Sequence, residues 1–200
     1  MLSAWRPATF ENLQLNAGVF LFNFNASSYK TAAALEDAVL AALEAGTDIM
    51  GTTIGDGTFV AEPEIRNIEG NGRRYDVVGS TVIDSWSCRL TGTMKEVNPD
   101  NFKRALITAE SVKDGNVTTL TIRTDIEKTD YIPKLCWVGD TSKGFVMIEL
   151  DNVLNIAGMT FTFTDKGEGS VPFEFKAHVA DIAAQNMAPA RIFFFDEAAA

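Results

Sequence analysis

The sequence predicts a β-rich α+β fold: an antiparallel β-sandwich or partial barrel with one flanking α-helix and a second short helix. Apolar and polar residues alternate in several separate segments, which is the pattern of half-buried strands. Another segment instead carries an apolar stripe at helical spacing. The 200 residues suffice for one large β domain. We expect it to span residues 1–200, with an N-terminal arm (about 1–14) and a long loop between elements (about 47–58).

A strand and a helix open the predicted domain. Residues 15–25 form a β-prone run, which predicts the first strand. Ser28 or Thr31 can cap the helix that follows, and Gly46 supplies its C-terminal stop. The helix is rich in alanine, so we expect it to lie close against a sheet. Its apolar stripe consists of Leu35, Val39, Ala42 and Leu43.

Residues 47–58 contain three glycines and follow no firm period, which indicates a loop. The run has neither a GxxxxGK[ST] nor a GxGxxG spacing, and this argues against phosphate binding. Residues 58–69 resume as a strand, in which Pro63 indicates an edge or a bulge. In the turn-rich link that follows, Arg73 and Arg74 are interpreted as a solvated salt-bridge cluster rather than a nucleic-acid site.

The segment TVIDSWSCRLTGTM predicts a long half-buried strand. Trp86 lies in its apolar phase, so we expect Trp86 to be a core residue. Asp84 falls in the same phase. Two interpretations of that carboxylate remain: a catalytic acid with a shifted pKa, or a residue at the wet end of the strand.

The remaining chain predicts a second short helix and further strands. The helix starts at residues 98–100, with Pro99 suited to its first turn, and has Phe102, Leu106 and Ala109 on its apolar side. The predicted strands are 117–123, 135–138, 145–154 and 192–195.

Residues 155–179 predict a long β-hairpin, because two alternating runs flank a polar turn with two glycines. We expect its aromatic residues to share one buried face. Opposed residues must then share parity, which places Phe163 opposite Phe173 and Phe161 opposite Phe175.

Composition and charge narrow the function. The net charge of −10 predicts a surface that repels nucleic acid and anionic membranes. Cys88 and Cys136 sit in apolar strand patterns and are expected to be reduced core thiols. The N-terminus lacks a signal-peptide pattern and the chain lacks an apolar run long enough for a membrane span, so we expect synthesis in the cytosol and no membrane partner.

No pattern in the sequence is typical of catalysis. His178 is the single histidine, lies in the polar phase of its strand, and is expected to face solvent or a partner. No serine lies in a GxSxG elbow, and neither cysteine has a histidine placed to activate it. We therefore expect a protein without enzymatic activity, cofactor or metal.

Several segments together resemble the major tail, or tail tube, proteins of long-tailed bacteriophages of Gram-positive bacteria. They occur in the order typical of that family and cover most of the chain. They are ENLQLNAGVFLFNF (11–24), MGTTIGDGTF (50–59), IDSWSCRLTGT (83–93), WVGD (137–140) and TDKGEGSVPFEFKAH (164–178).

The resemblance implies a tail-tube-like β-sandwich whose copies form rings of six, and stacked rings that conduct DNA out of the capsid. It also implies a place in the virion tail, contacts with other tail proteins such as the tape measure and the tail terminator, and passage of DNA without specific binding. Six copies carry 6 × −10 = −60 charges per ring, which would repel DNA from the bore. The alternative is an acidic β-sandwich adhesin or carbohydrate-binding module.

Candidate contact residues between subunits or rings come from the glycine-containing loop and the arginine pair. Ile49, Met50 and Ile54 have no evident core to enter, so we expect the loop to become ordered when a neighbour covers it. The predicted contact residues are Asp48, Ile49, Met50, Thr53, Ile54, Asp56, Arg73 and Arg74. The predicted core residues are Trp86, Phe161, Phe163, Phe173 and Phe175.

Overall fold

The computed structural model describes residues 13–14, 16–72, 74–163 and 165–196. The predicted fold class is confirmed: the described residues form a β-rich α+β fold with two helices and an antiparallel sheet of seven strands. The elements are β1 (Val19–Phe22), α1 (Ala32–Ala45), β2 (Thr58–Asn67), β3 (Thr81–Met94), α2 (Pro99–Ala105), β4 (Ala109–Asp114), β5 (Val117–Ile122), β6 (Ile132–Thr141), β7 (Gly144–Asn155), β8 (Val171–Lys176) and β9 (Ala190–Asp196).

The seven-stranded sheet folds over on itself at β7. Its strands pair in the order β1-β6-β7-β8-β3-β2, and β9 also pairs with β7. The long first part of β7 pairs with β6 and β9, whereas its last two residues, Leu154 and Asn155, pair with β8. The result is a first sheet (β1, β6, β7 and β9) and a second sheet (β8, β3 and β2) that face each other as a sandwich.

The main core lies between these two sheets. Phe20 meets Phe173 with ring centroids 5.3 Å apart, and Phe22 meets Phe175 at 6.1 Å, both edge to face. All four rings are buried, so the core positions predicted for Phe173 and Phe175 are confirmed. Cys88 is buried in the same core, and Cys136 is buried on the other face of the first sheet. Both are free thiols, as expected.

Helix α1 covers the outer face of the first sheet, as its shallow stripe predicts. The Thr31 hydroxyl accepts a hydrogen bond from the Ala34 N–H at 3.2 Å, and Gly46 ends the helix with φ = 64°. Leu35 is fully buried there together with Leu21 and Met147. Because α1 uses this face, only the inner face of the first sheet packs against the second sheet.

Helix α2 is capped by the Asn98 side chain, which accepts from the Asn101 N–H at 2.8 Å, and Pro99 occupies its first turn as predicted. The helix ends four residues before Ala109, which begins β4 instead of extending the helical stripe. Strands β4 and β5 form a separate two-stranded sheet. The buried Asn101 amide donates to the carbonyls of Met50 and Glu96, so α2 fixes the loop that precedes β2.

The predicted hairpin over residues 155–179 is wrong. Strand β8 pairs with β3 along its whole length, with Phe173 opposite Gly92 and Phe175 opposite Leu90. The preceding segment pairs with β8 at its start, where Asn155 lies opposite Phe175, and again at the isolated bridge between Thr162 and Ser170. The predicted register of Phe161 and Phe163 does not form.

The polar side chain of Asn155 explains why the chain leaves the sheet at that residue. The buried Asn155 amide donates to the carbonyls of Ala105 and Gly158, each at 2.9 Å, and its oxygen accepts from the Glu174 N–H. Gly158 then takes φ = 71°, a conformation that turns the backbone away. The hydrogen bonds of the Asn155 side chain thus take the place of the backbone hydrogen bonds that the predicted hairpin would form.

The predicted N-terminal arm falls outside the described residues except for Leu13 and Gln14. The Leu13 carbonyl accepts from the Ser142 N–H at 3.2 Å, and Gln14 bridges to Thr141. These contacts attach the start of the described chain to the turn between β6 and β7.

Candidate assembly surface

The β2–β3 hairpin extends beyond the rest of the second sheet. Strand β8 pairs with β3 only from Arg89 to Met94, and the Ala177 N–H makes one further bond, to the Cys88 carbonyl. Beyond that point β2 and β3 pair with each other. Residues 62–72 and 74–87, here named the projecting hairpin, therefore extend past the end of the sandwich.

A β-bulge places two apolar residues of β3 on the same face of the projecting hairpin. Glu64 pairs with Ser85, but the next residue, Ile65, pairs with Ile83 and leaves Asp84 as the extra residue. Since directly opposed residues share a face, Ile65 and Ile83 point to the same side as Trp86 and its partner Pro63. These four residues, Pro63, Ile65, Ile83 and Trp86, are here named the apolar face.

The apolar face continues the core face of Cys88 and Leu90 but lies open. Ile65 is 57% exposed, Ile83 52% and Trp86 44%. The prediction that Trp86 belongs to the core is therefore wrong. Its position within the apolar phase is as predicted, but β8 ends too early to bring the sandwich core beneath it.

Charged residues on the opposite face of β2 and β3 pair with one another. The Arg66 guanidinium donates to both carboxylate oxygens of Asp84, at 2.8 and 3.0 Å, and this hydrogen bond holds the pKa of Asp84 below its ordinary value. Arg89 bridges Glu62 and Glu174 at 3.1 and 3.0 Å. Asp84 is thus an ionised residue at the wet end of β3, and the interpretation as an acid with a raised pKa is not supported.

The glycine-containing loop is built into the subunit. The Met50 N–H donates to the Phe20 carbonyl and the Ile54 N–H to the Thr93 carbonyl, each at 3.0 Å, and Ile49 bridges to Leu21. Met50 is fully buried in the main core and Ile49 packs beneath α1. The prediction that these two side chains lack a core is wrong, because Met50 enters the main core and Ile49 enters the cluster beneath α1.

The other predicted contact residues that the structure describes are exposed, except for Thr53, which is half-buried. Asp48 is exposed, with φ = 55°, and accepts from the Asn23 amide at 2.9 Å, while Thr53 is half-buried and bridges to Met94. Ile54 is 50% exposed and Asp56 is exposed. Arg74 is exposed near the tip of the projecting hairpin, and Arg73 lies outside the described residues. The loop and the tip are not brought together.

A cavity of about 510 Å³ opens beside this loop, between the two sheets. Its wall is largely apolar, with Phe20, Phe59 and Trp137 among the lining residues. Asp56 is the one ionisable side chain among the described residues that line it. Such a wall offers no acid–base pair for catalysis.

An aromatic cluster lies where the predicted hairpin fails to form. Phe161 packs on Phe102 of α2 with centroids 5.3 Å apart, and Phe163 packs on Phe161 at 5.7 Å. Phe161 is partly buried against the main core, but Phe163 is 79% exposed. The core position predicted for Phe163 is wrong, because leaving the sheet places this ring outside the sandwich.

The buried carboxylate of Glu149 has a structural role. It accepts from the Ala26 N–H at 2.8 Å and from Lys134 and Arg191, each at 2.7 Å. The side chain is 1% exposed, so its oxygens face these protein donors and not a substrate. Burial also raises the pKa of the Cys136 thiol on the neighbouring strand, which makes that thiol a poor nucleophile.

His178 is half-buried instead of facing solvent. Its ring lies against Tyr131 at 5.1 Å, and its Nδ1 is 3.1 Å from the Asn152 carbonyl. Within the described ranges, no group of three His, Cys, Asp or Glu residues is arranged to hold a metal ion. Among the same residues, no helix is long and apolar enough to span a membrane.

Comparisons with known proteins add no relative: no protein-family model matches the chain, and no curated protein matches its sequence. The candidate site therefore depends on the geometry of the chain itself. Its strongest features are the apolar face at one end of β3 and the exposed aromatic residues at the other.

Sequence reasoning missed the apolar face, although two signals for it are present. Pro63 was interpreted as marking an edge or a bulge, and the structure has both: β2 is the terminal strand of the sheet, and the register shifts next to Glu64. Asp84 in the apolar phase is the second signal. A charged residue at that position indicates that one residue of β3 is left out of the alternation.

Proposed function

We propose that this protein is the structural subunit of a phage-type tail tube, with six copies forming a ring and rings stacking into a tube that conducts DNA. The observation that carries the proposal is the open apolar face of the projecting hairpin. A sheet face of Ile65, Ile83 and Trp86 that continues a core but remains exposed is a surface for another protein.

The unpaired strand edges support self-assembly. In the described part of the chain, β2 pairs only with β3 and β9 only with β7, whereas the second edge of β1 is bonded to residues 48–50. Exposed edges pair with other chains unless the assembly covers them. A closed ring is the arrangement in which each edge of one copy meets an edge of the next, because heterologous contacts close into rings or continue as filaments.

The tail-tube class is supported by the resemblance of the five segments, one of which, residues 83–93, includes Ile83 and Trp86. The acidic composition supports the conduit, since a ring with −60 charges repels phosphates and lets DNA slide. The protein is then made in the host cytoplasm, resides in the virion tail, and meets the tape measure and the tail terminator there.

Size and shape measurements of the purified protein test the proposal. The expected result is a hexamer of 6 × 21.8 = 130.8 kDa by light scattering, and rings or tubes in negative-stain images at higher concentration. A particle that stays at 21.8 kDa at every concentration would overturn the proposal.

The exposure of Trp86 favours one competing function, a carbohydrate-binding module, because an exposed indole can stack on a sugar ring. The residues beside Trp86 on this face are Pro63, Ile65 and Ile83, which offer no side-chain hydrogen bonds to sugar hydroxyls. The face therefore suits an apolar protein surface better. Binding of the monomer to a glycan array, lost on Trp86→Ala, would favour the competing function.

A further inference from the structure

The exposed aromatic residues beyond the C-terminal end of β3 form a second apolar surface. Phe163 stands 79% exposed on Phe161, which packs on Phe102, and nearby Val97 is 56% exposed. These four residues are here named the aromatic step.

The aromatic step and the apolar face lie at opposite ends of β3. Met94, the last residue of β3, pairs with Val171, and the Thr162–Ser170 bridge and the Lys95–Glu168 ion pair hold the step beside this end. The apolar face lies towards the other end, near Thr81. The 14 residues of β3 span roughly 45 Å, so one copy cannot bring the two surfaces together.

We propose that the aromatic step of one copy is the docking surface for the apolar face of a second copy in the next ring. This inference rests on the proposed function. Two different surfaces at opposite ends of one strand make a heterologous, head-to-tail contact, which repeats along an axis when its rotation does not close a ring. Such a contact produces a stack of rings and not a dimer.

The areas of the two surfaces indicate that they join two rings through six contacts, and that two single copies do not associate stably through one contact. From their exposed fractions, the apolar face offers roughly 300 Å² and the aromatic step roughly 250 Å², against about 800 Å² per partner in a stable two-protein interface. One contact alone is therefore weak. Six parallel contacts between two rings bury roughly 1,800 Å² on one side, and their linkage within the ring raises the affinity without any new contact.

The chemistry of the surroundings also favours a second copy as the occupant. Beside the aromatic step, Glu168 and Lys95 form an ion pair, so the step carries no basic patch for nucleic acid. On the projecting hairpin, Arg66 and Asp84 pair with each other on the opposite face, so the apolar face presents no charged side chain to a partner. Two uncharged apolar surfaces of similar size match each other.

Paired cysteine substitutions test the contact directly. We would introduce Phe163→Cys together with Ile83→Cys, or together with Ile65→Cys, and oxidise assembled protein with diamide. Native Cys88 and Cys136 are buried and stay unreactive. A disulfide needs Cα atoms within about 7 Å, so only a docked pair will form it. The expected result is a ladder of cross-linked multimers on a non-reducing gel for at least one pair.

The matched control pairs Ile83→Cys with Val112→Cys, because Val112 is 64% exposed on the separate β4–β5 sheet. It should give no ladder. The inference is overturned if neither test pair cross-links above this control.

A single substitution separates this inference from the proposed function. Phe163→Ser changes an exposed ring, so the fold and the hexamer should persist while tubes are lost from negative-stain images. Tubes as abundant as those of the wild type would overturn the inference and leave the proposed function standing. A wild-type protein that is monomeric at every concentration would overturn the proposed function and this inference with it.

Discussion

The two halves of β3 have similar alternating sequences and opposite surroundings. Cys88, Leu90 and Met94 are buried between the sheets, whereas Ile83 and Trp86 lie open on the projecting hairpin. The difference is coverage: β8 pairs with β3 only from Arg89 onwards. Alternation specifies which side of a strand is apolar, but the length of the neighbouring strands determines whether that side is buried.

The largest effect is expected from removing a ring in the buried half. Phe175→Ala should destabilise the protein by about 4 kcal/mol, because Phe175 is fully buried opposite Leu90 and packs against Phe22. Urea unfolding followed by circular dichroism measures the loss. The control is Phe194→Ala on β9, where the ring is 75% exposed, and equal losses for the two variants would contradict the assignment of the core.

Truncating the buried side chain of the loop before β2 should also destabilise the protein, as in the buried half of β3. Met50→Ala is expected to cost about 3 kcal/mol, since the side chain is fully buried between β1 and α2. The matched variant Ile54→Ala, at a side chain that is 50% exposed, should leave the unfolding midpoint nearly unchanged. If both variants were as stable as the wild type, the loop would be an assembly element and not part of the core.

A smaller change in stability is expected in the open half. Trp86→Ala should cost about 1 kcal/mol, because its contacts are mainly those of a cross-strand pair with Pro63. The same variant should lose tube formation. A stability loss as large as that of Phe175→Ala would show that Trp86 is buried, and would remove the contrast between the two halves.

The smallest effect is expected at the bulge. Asp84→Asn breaks an exposed pair with Arg66, so the unfolding midpoint at pH 7 should not change measurably. Since Arg66 lowers the pKa of Asp84, any stabilisation by the ionised pair is present above the ordinary pKa of about 3.9 and is lost as the pH falls through the lower native value. A clear difference between wild type and variant that persists below that pH would contradict this sign.

Local signals predicted the helices well. Thr31, Gly46, Asn98 and Pro99 occupy the capping and first-turn positions that their side chains favour, because these contacts form within one turn of the chain. Most predicted strands lie near their predicted positions, with β6 starting three residues earlier. The predicted strand around Phe161 does not form, and Ala109, predicted on the second helix, begins β4. Helix ends and strand faces depend on residues that are close in the sequence, so the sequence alone predicts them.

Long-range pairing could not be predicted. The residues around Phe161 alternate as a strand would, yet they leave the sheet because Asn155 binds the carbonyls of Ala105 and Gly158. The competing partner of β8 is β3, some 80 positions earlier in the chain. The alternating pattern of β8 is compatible with two partners, β3 and the segment around Phe161. Long-range packing selects β3, and Phe163 is exposed as a result.

The sequence by itself determined the β-rich class, the two capped helices, the reduced buried cysteines and the acidic surface, because each follows from residue type and short-range spacing. Only the tertiary structure decided which apolar faces are covered. Burial of Met50, exposure of Trp86 and Phe163, and the bulge that joins Ile83 to the apolar face all depend on where distant strands begin and end. The candidate assembly surface therefore lies where the apolar pattern continues and the neighbouring strand stops.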